Sequence, residues 1–387
     1  MQTDNGQKPA KTTAPLSGLL IVSLEQAVAA PYCSRLLAED GARVIKLERL
    51  EGDFARAYDN AVHGESTYFA WLNGGKESVA VDLRGDTDRA LLTELLSRAD
   101  VFIQNLRVGA VDRLGYGWDA VHALNPRLIM CNISGFGSTG AYATKKAYDA
   151  LVQAEAGLCS VTGPAGTPSK VGLSICDIAT GLTAHGEVLK ALLLRQQTGV
   201  GTCIDCSLFE VMAEWMSVPL AHYEHTGKML QGTGMDHGQI APYGAFQAGD
   251  GAVFLVVQNH REWLRLCESV LGKPELVDDP LFADNMSRVS NRAVLKTTIE
   301  EVFAGLSCAR VFELLGDAGI AHGQINDLAG LSKHPALLRD AISVNGAIAS
   351  MVRHVGRSGM ETRNVPSLDQ HGDNVRSEFL GTEMAGL

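Results

Sequence analysis

The chain has 387 residues, 46% of them hydrophobic and 20% charged, a globular composition that excludes a disordered or fibrous protein and leaves room for two or three domains. Lys+Arg is 33 against 44 Asp+Glu, a net charge of −11 with no basic block, which argues against nucleic acid or an anionic membrane surface as partner. No apolar run reaches the ~18–20 residues of a spanning helix, and the polar stretch Met1–Pro15 lacks an apolar core, so residues 1–15 read as a loose tail rather than a secretory signal. The eight cysteines are scattered, and a chain of this length needs no disulfide staples; the expectation is a reduced, cytoplasmic protein.

Leu19–Leu24 is a short apolar run that fits a buried strand. It leads through Glu25-Gln-Ala-Val-Ala-Ala-Pro31 into a helical pattern that stops at Gly41, and Ala42–Leu47 is the next strand. Ser78–Leu83, Val101–Gln104 and Leu128–Ile133 are further strands, separated by helical patterns over 86–99 and 111–124. A long helix over 178–196 stops at Gly199, and Thr202–Ser207 is a last strand before another helix through Trp215. This alternation predicts an α/β fold with a mostly parallel, helix-covered sheet. Between His225 and Gly251 the composition shifts to seven glycines without long periodicity, which marks a domain change. The pattern is helical from Trp263 to Leu315 and α/β again from Gly319. The expected organisation is a large domain from 16–220 and 325–387, with a smaller α+β domain at 225–320 that includes the glycine-rich segment.

Cys203 and Cys206 form a CxxC, but inside a strand pattern that spacing points the two thiols to opposite faces, and nothing nearby completes a metal site. No metal is expected. Glu48 ends the second strand, where a dinucleotide fold places its ribose-binding acid. The loop before it has no glycine between Glu25 and Pro31, which speaks against a nicotinamide or flavin site and leaves Glu48 as a surface carboxylate. Arg49, Lys76, Arg107 and Arg113 follow or flank predicted strands, so they either converge on phosphates at one crevice or are scattered surface cations.

Asp149 and Asp177 each stand at the start of a helical stretch, the usual place of an N-cap. The same place suits a nucleophile. The helix dipole and free backbone N–H groups would hold the carboxylate ionised, and a carboxylate with a free pKa of ~4 needs no base at pH 7.

Taken in order, several stretches resemble the class III CoA-transferases, the CaiB/BaiF family: Leu16-Ser-Gly-Leu through Pro31, Gly41–Arg49, Asn73–Asp82, Ala99-Asp-Val through Asn105, Asp112-Arg-Leu-Gly115, Leu124–Ile129, Ser134-Gly-Phe-Gly137, Tyr148-Asp149 through Ala154, Gly199-Val-Gly-Thr and His334-Pro-Ala-Leu. The resemblance implies a large Rossmann-like domain built from both chain ends, a smaller inserted domain, and two subunits interlocked as a ring homodimer. It implies coenzyme A, carried as acyl-CoA, and short carboxylic acids as partners.

By the same resemblance Asp177 holds the place of the transferases' nucleophile, with Asp149 as an auxiliary acid near the thioester. Arg49, Lys76, Asn105, Leu106, Arg113 and Tyr148 fall at positions lining the CoA cleft. Ala27 and Val28 fall in the loop against the pantetheine and thioester. Val28 replaces a glutamine of formyl-CoA transferase, which argues against formyl-CoA and oxalate as the pair. Gly232-Thr-Gly234 falls near the place of the glycine-rich lid. The N-terminal segments and Tyr68–Asn73 look most like the branch acting on C4–C5 dicarboxylates such as succinate, itaconate and mesaconate. One member of that branch moves CoA between the two carboxylates of one mesaconyl molecule. The α-methylacyl-CoA racemases share the fold but use a His-Asp dipeptide where this chain has Tyr148-Asp149, and a phenol of pKa ~10 is a poor base. A CoA-binding regulator without turnover is the alternative of another class. For a distal carboxylate the candidates are Arg56, His222, His225 and His237, with pairing of Arg56 to Glu51 and Asp53 as its plain alternative.

Overall fold

A computed structural model describes residues 14–355 and 362–381; all but Ala14 and Pro15 of the expected tail lie outside the described residues. The chain divides into two compact units, one from residues 1–156, 172–216 and 338–387, the other from 157–171 and 217–337.

The first unit is built on β1 (Leu20–Leu24), α1 (Ala29–Glu39), β2 (Arg43–Glu48), α2 (Thr67–Asn73), β3 (Glu77–Ala80), α3 (Asp86–Arg98) and β4 (Val101–Gln104). It continues with α4 (Ala110–Arg113), α5 (Trp118–Leu124), β5 (Ile129–Ser134) and α6 (Asp149–Glu155). After α7 (Leu158–Val161), which belongs to the second unit, come α8 (Ile175–Thr198), β6 (Cys203–Ser207) and α9 (Leu208–Trp215). The six strands form one parallel sheet in the order β3-β2-β1-β4-β5-β6. The order reverses between β1 and β4, so the loops after these two strands open the crevice where such sheets bind ligands.

Sequence explains most of these boundaries. β4 is apolar because both of its faces are buried. α1 tolerates Pro31 because it lies in the first turn, and the helix stops before Gly41, whose φ is +98°. α8 ends on Gly199 at φ +75° and begins three residues earlier than its periodicity predicts. The expected helix over 111–124 is two short ones, broken where Gly115 takes φ +87°. β3 ends at Ala80, short of the predicted Leu83, because the Asp82 N–H turns away to the Asp88 carboxylate.

The C-terminal part does not extend the parallel sheet. β10 (Arg339–Val344), β11 (Ala347–Val352) and β12 (Arg363–Asn364) form a separate small sheet. The last helix, Gly372–Leu380, sends Val375 and Phe379 into the large core beside α3. In the second unit, β7 (Tyr243–Ala248), β8 (Gly251–Val256) and β9 (Ala321–Gln324) form an antiparallel sheet around a core that holds Trp263, Phe282 and Phe303. This unit also takes in residues 157–171, because the backbone N–H of Gly234 donates to the Gly163 carbonyl at 2.8 Å and that of Gly232 to the Ser160 carbonyl at 3.3 Å. Among the described residues no helix is long and apolar enough to cross a membrane, and no group of three or more His, Cys, Asp or Glu could hold a metal.

Candidate active site

Helix α8 leaves the backbone N–H groups of its first turn without partners of its own, and its N-cap residue, Ser174, makes no side-chain cap. Asp149 supplies the cap from another helix. Its Oδ1 accepts from the Cys176 N–H at 2.8 Å and from the Asp177 N–H at 3.3 Å, and its Oδ2 from Gln153 Nε2 at 2.7 Å. Gln153 is fully buried and also donates to the Leu173 carbonyl at 3.2 Å, which ties α6 to the approach of α8. Neither Asp is the local cap its position predicts. Tyr148 is the N-cap residue of α6, and Asp177 lies one residue past the middle of the first α8 turn, with its carboxylate bonded to no donor among the described residues.

Burial, and then the charge of Asp149, push the Asp177 carboxyl up to about 7. This corrects the expectation that the helix terminus holds it ionised. The free N–H groups that would have done so are turned onto Asp149 instead.

Gly181 is one turn after Asp177 on the same face of α8. A Cβ there would lie 2.5 Å from the Ala29 carbonyl oxygen and 2.9 Å from Tyr32 Cβ, so α8 packs closely on the start of α1 at this point. Asp177 therefore stands beside the β1–α1 loop at the reversal point of the sheet. Side chains shape that loop. Asn105, just after β4, bonds to both the N–H (2.9 Å) and the carbonyl (2.8 Å) of Gln26. The Ala27 N–H donates to Asp53 Oδ1 at 3.1 Å, with Ala27 at φ +63°.

Beneath the loop lies a network of buried charges. Glu25 accepts from Lys76 Nζ at 2.8 Å and from the Ser34 hydroxyl, and Lys46 Nζ lies 3.5 Å from Glu25 and 2.9 Å from Asp53. Burial alone would raise the Glu25 carboxyl; the Lys76 and Lys46 ammonium groups hold it below the ordinary carboxylate range. The charged, buried Lys46 was concealed in the sequence by an otherwise apolar strand, Arg-Val-Ile-Lys-Leu-Glu.

Several expected site residues belong to this support. Lys76 is 2% exposed, and its ammonium meets Glu25, the Pro31 carbonyl (3.0 Å) and Asn73 Oδ1 (3.0 Å), so its donors are occupied and it is not offered to a phosphate. Asn105 holds Gln26, and Leu106 donates its N–H to the Gln104 side chain at 2.8 Å and packs on the core. Glu48 is buried rather than a surface acid. It takes a bidentate pair from Arg56 at 2.8 and 2.9 Å and the Ser78 hydroxyl at 2.6 Å. Burial opposes its ionisation, but the Arg56 hydrogen bonds and the Lys46 charge hold it at about 2. Arg56 also meets Glu65 at 3.2 Å and lies 3.6 Å over the Phe69 ring, which removes it as a candidate for a substrate carboxylate. Its partners are Glu48 and Glu65, not Glu51 and Asp53.

Arg49, Arg107 and Arg113 are exposed, with no ion pair among the described residues. Arg49 and Arg107 follow β2 and β4, on either side of β1, at the same end of the parallel sheet. Val28 is buried at the first residue before α1, and Tyr148 is 65% exposed. Tyr68, missed by the sequence reading as a site residue, places its hydroxyl 3.1 Å from Ser174 Oγ at the start of α8. His222, His225 and His237 lie in the second unit, where the His237 ring stacks on Tyr243 at 4.9 Å. Cys203 and Cys206 are free, and burial pushes both thiols up to about 11, which makes them inert.

A half-buried carboxylate beside the switch-point loop of a Rossmann-like sheet, with exposed arginines after the flanking strands, defines an α/β protein with an acid and a cationic rim at the reversal point of its sheet. The comparisons make the class specific: the model of CoA-transferase family III matches residues 16–370, and the chain belongs to that family. It is 35% identical over 383 residues to the acetyl-CoA:oxalate CoA-transferase of Acetobacter aceti, which covers 97% of this chain and 98% of that one. It is 31% identical over 390 residues to the human succinyl-CoA:glutarate CoA-transferase, covering 98% and 89%. A solved CaiB/BaiF family protein of Brucella suis is 32% identical, with a TM-score of 0.80 over 95% of this chain and 100% of that one. The protein is a family III CoA-transferase, whose substrates are CoA thioesters and carboxylic acids.

Proposed function

We propose that this enzyme moves CoA between short dicarboxylic acids through a covalent intermediate on Asp177. The observation that carries the proposal is the place of Asp177: half-buried in the first turn of α8, beside Asp149, and next to the loop of Ala27 and Val28. Ionised Asp177 attacks the thioester carbonyl carbon, the C–S bond breaks, and CoA leaves as thiolate from a mixed anhydride. The thiolate then attacks the Asp177 carbonyl and expels the donor carboxylate, which leaves an aspartyl-CoA thioester. The acceptor carboxylate reverses the sequence, with Asp177 as the final leaving group. A raised pKa favours the first half-reaction, because a more basic carboxylate is the better nucleophile, and it opposes the last step, in which Asp177 must leave. The exposed Arg49 and Arg113 are suited to the phosphates of CoA.

Succinate and its relatives are supported by the names of similar proteins, among them the succinyl-CoA:mesaconate CoA-transferase of Haloarcula hispanica, 32% identical over 310 residues. Oxalate joins the panel of acceptors through the Acetobacter aceti relative, with acetyl-CoA rather than formyl-CoA as donor. Arg56 is occupied by Glu48 and Glu65 and is not offered to a distal carboxylate. The interlocked homodimer is supported by apolar surface that would need cover. Val218, Leu220 and Tyr223 are exposed on α10 (Ser217–Thr226), which buries no residue, and Leu182, Leu193 and Leu194 are exposed on α8. A reducing, cytoplasmic setting agrees with eight free cysteines.

Incubation with succinyl-CoA, then hydroxylamine or borohydride, and peptide mass spectrometry tests the intermediate. A hydroxamate or reduced residue at Asp177 is expected; a modification elsewhere, or none during turnover, contradicts it. In an acceptor panel, monocarboxylates that outrun every dicarboxylate would overturn the substrate assignment and leave the transfer chemistry standing.

A further inference from the structure

The switch-point loop of a Rossmann-like sheet commonly uses glycine to turn the backbone. Residues 25–31 contain none, yet Ala27 occupies the left-handed region at φ +63°, which a Cβ disfavours. A strained residue of this kind persists only where its surroundings hold it. Asn105 grips Gln26 and the Glu25 network anchors the start of the loop, but among the described residues only Asp53 bonds to the strained residue itself.

Asp53 is 4% exposed and cannot swing. Its Oδ1 takes the N–H groups of Ala27 at 3.1 Å and Ala55 at 3.0 Å, and its Oδ2 takes Lys46 Nζ at 2.9 Å. It is also near the reacting end of the site. Tyr58, at the end of the turn that Asp53 caps, feels the charges of both Asp53 and Asp177. A buried ion pair such as Lys46–Asp53 is a weak source of stability, because apolar residues of similar volume often serve as well. Its value lies in fixing one geometry.

We propose that Asp53, held by Lys46, is a positioning residue for CoA transfer: through the Ala27 N–H it locks the glycine-free β1–α1 loop in the left-handed turn beside Asp177. The loop thereby presents a rigid wall against the thioester. This rests on the reading that Asp177 attacks the thioester beside that loop, so its test includes a readout that needs no substrate.

In the wild-type protein the Ala27 amide should be protected from hydrogen exchange to the level of β1 and β2 amides. In D53N the carboxamide sets N–H groups against the Lys46 ammonium, and the protection of Ala27 should fall. The kcat should drop ~10–100-fold, the cost of a misplaced reacting geometry. The acyl-CoA KM should stay within ~3-fold, the signature of an interaction realised in the transition state. Introducing A27G into D53N should recover at least ~10-fold of kcat, because glycine takes positive φ without help. A purely structural role for Asp53 would not produce that rescue. An Ala27 amide that exchanges as fast as open loop in the wild type overturns the proposal, and this holds even if D53N fails to fold. So does a D53N/A27G enzyme no faster than D53N, or a D53N defect confined to KM. If no adduct forms on Asp177 in the wild type, the transfer reading and the catalytic half of this proposal fall together, while exchange still decides whether Asp53 holds the loop.

Discussion

Two sets of cations lie close together in the chain and behave oppositely. Lys46, Arg56 and Lys76 point into the protein, each against at least one buried carboxylate. Arg49, Arg107 and Arg113 stand at the surface without ion pairs among the described residues. The first set shapes the loop; the second is available to a ligand. Residue type does not separate them. What does is direction relative to the sheet: Lys46 lies inside β2 and Lys76 just ahead of β3, whereas Arg49 is the first residue past the C-terminal end of β2. A cation inside or before a strand of a doubly covered sheet must find a carboxylate, and one just past its C-terminal end faces the crevice; Arg56, eight residues past β2, is instead turned back onto Glu48.

The largest effect should come from breaking the inner set. Lys76→Met leaves Glu25 short of its closest charge partner and should lower the unfolding free energy by ~3–5 kcal/mol in a urea titration. A loss below ~1 kcal/mol would show that Lys46 alone suffices.

Next comes the pair of acids. Among the described residues, Asp149 has three donors on its oxygens and Asp177 has none. The folded protein keeps a proton on Asp177 up to about 7, whereas the unfolded chain releases it near 3.8. Stability should therefore fall as pH rises through that window, and D177N should escape the loss. The variant should match the wild type below pH 4 and exceed it above pH 7, by ~2–4 kcal/mol, the order of such a change in proton affinity. Equal stability at pH 8 would contradict the raised value.

Arg49→Ala and Arg113→Ala should each raise the acyl-CoA KM ~10-fold, or ~1.4 kcal/mol, with a weaker response to salt and an unchanged melting temperature. Any loss of stability beyond ~0.5 kcal/mol would place them with the inner set instead. Arg107→Ala should have the smallest effect, within ~3-fold on KM, since only its place after β4 suggests contact. A 10-fold loss would show that all three arginines converge.

The sheet was legible because parallel strands buried on both faces are apolar runs, and β1, β2, β4, β5 and β6 fall within a residue or so of their predicted limits. The place of Asp177 at the start of a long helix was legible in the sequence. Its environment was not, because the cap on α8 comes from Asp149, 28 residues earlier, and no local rule reports a bond across that distance. Lys76 and Arg56 were misjudged for the same reason. Glu48, which ends β2, and Glu25, the residue after β1, hold them, and acids at strand ends look exposed in sequence. The one usable sign was Lys46: a lysine amid buried strand residues requires buried acids nearby, and Glu25 and Asp53 were the acids at hand.

The proposed mechanism requires the Asp177 carboxylate itself to open the thioester. Its most direct test is the pH dependence of the first succinate released from succinyl-CoA in a single turnover without acceptor, followed by rapid quench in the wild type and in D177N. The burst should rise as pH passes through about 7 and level off above, in step with the raised Asp177 carboxyl, and should be absent from D177N at every pH. A burst that is flat from pH ~5 to ~9, or one retained by folded D177N, would show that another group attacks the thioester.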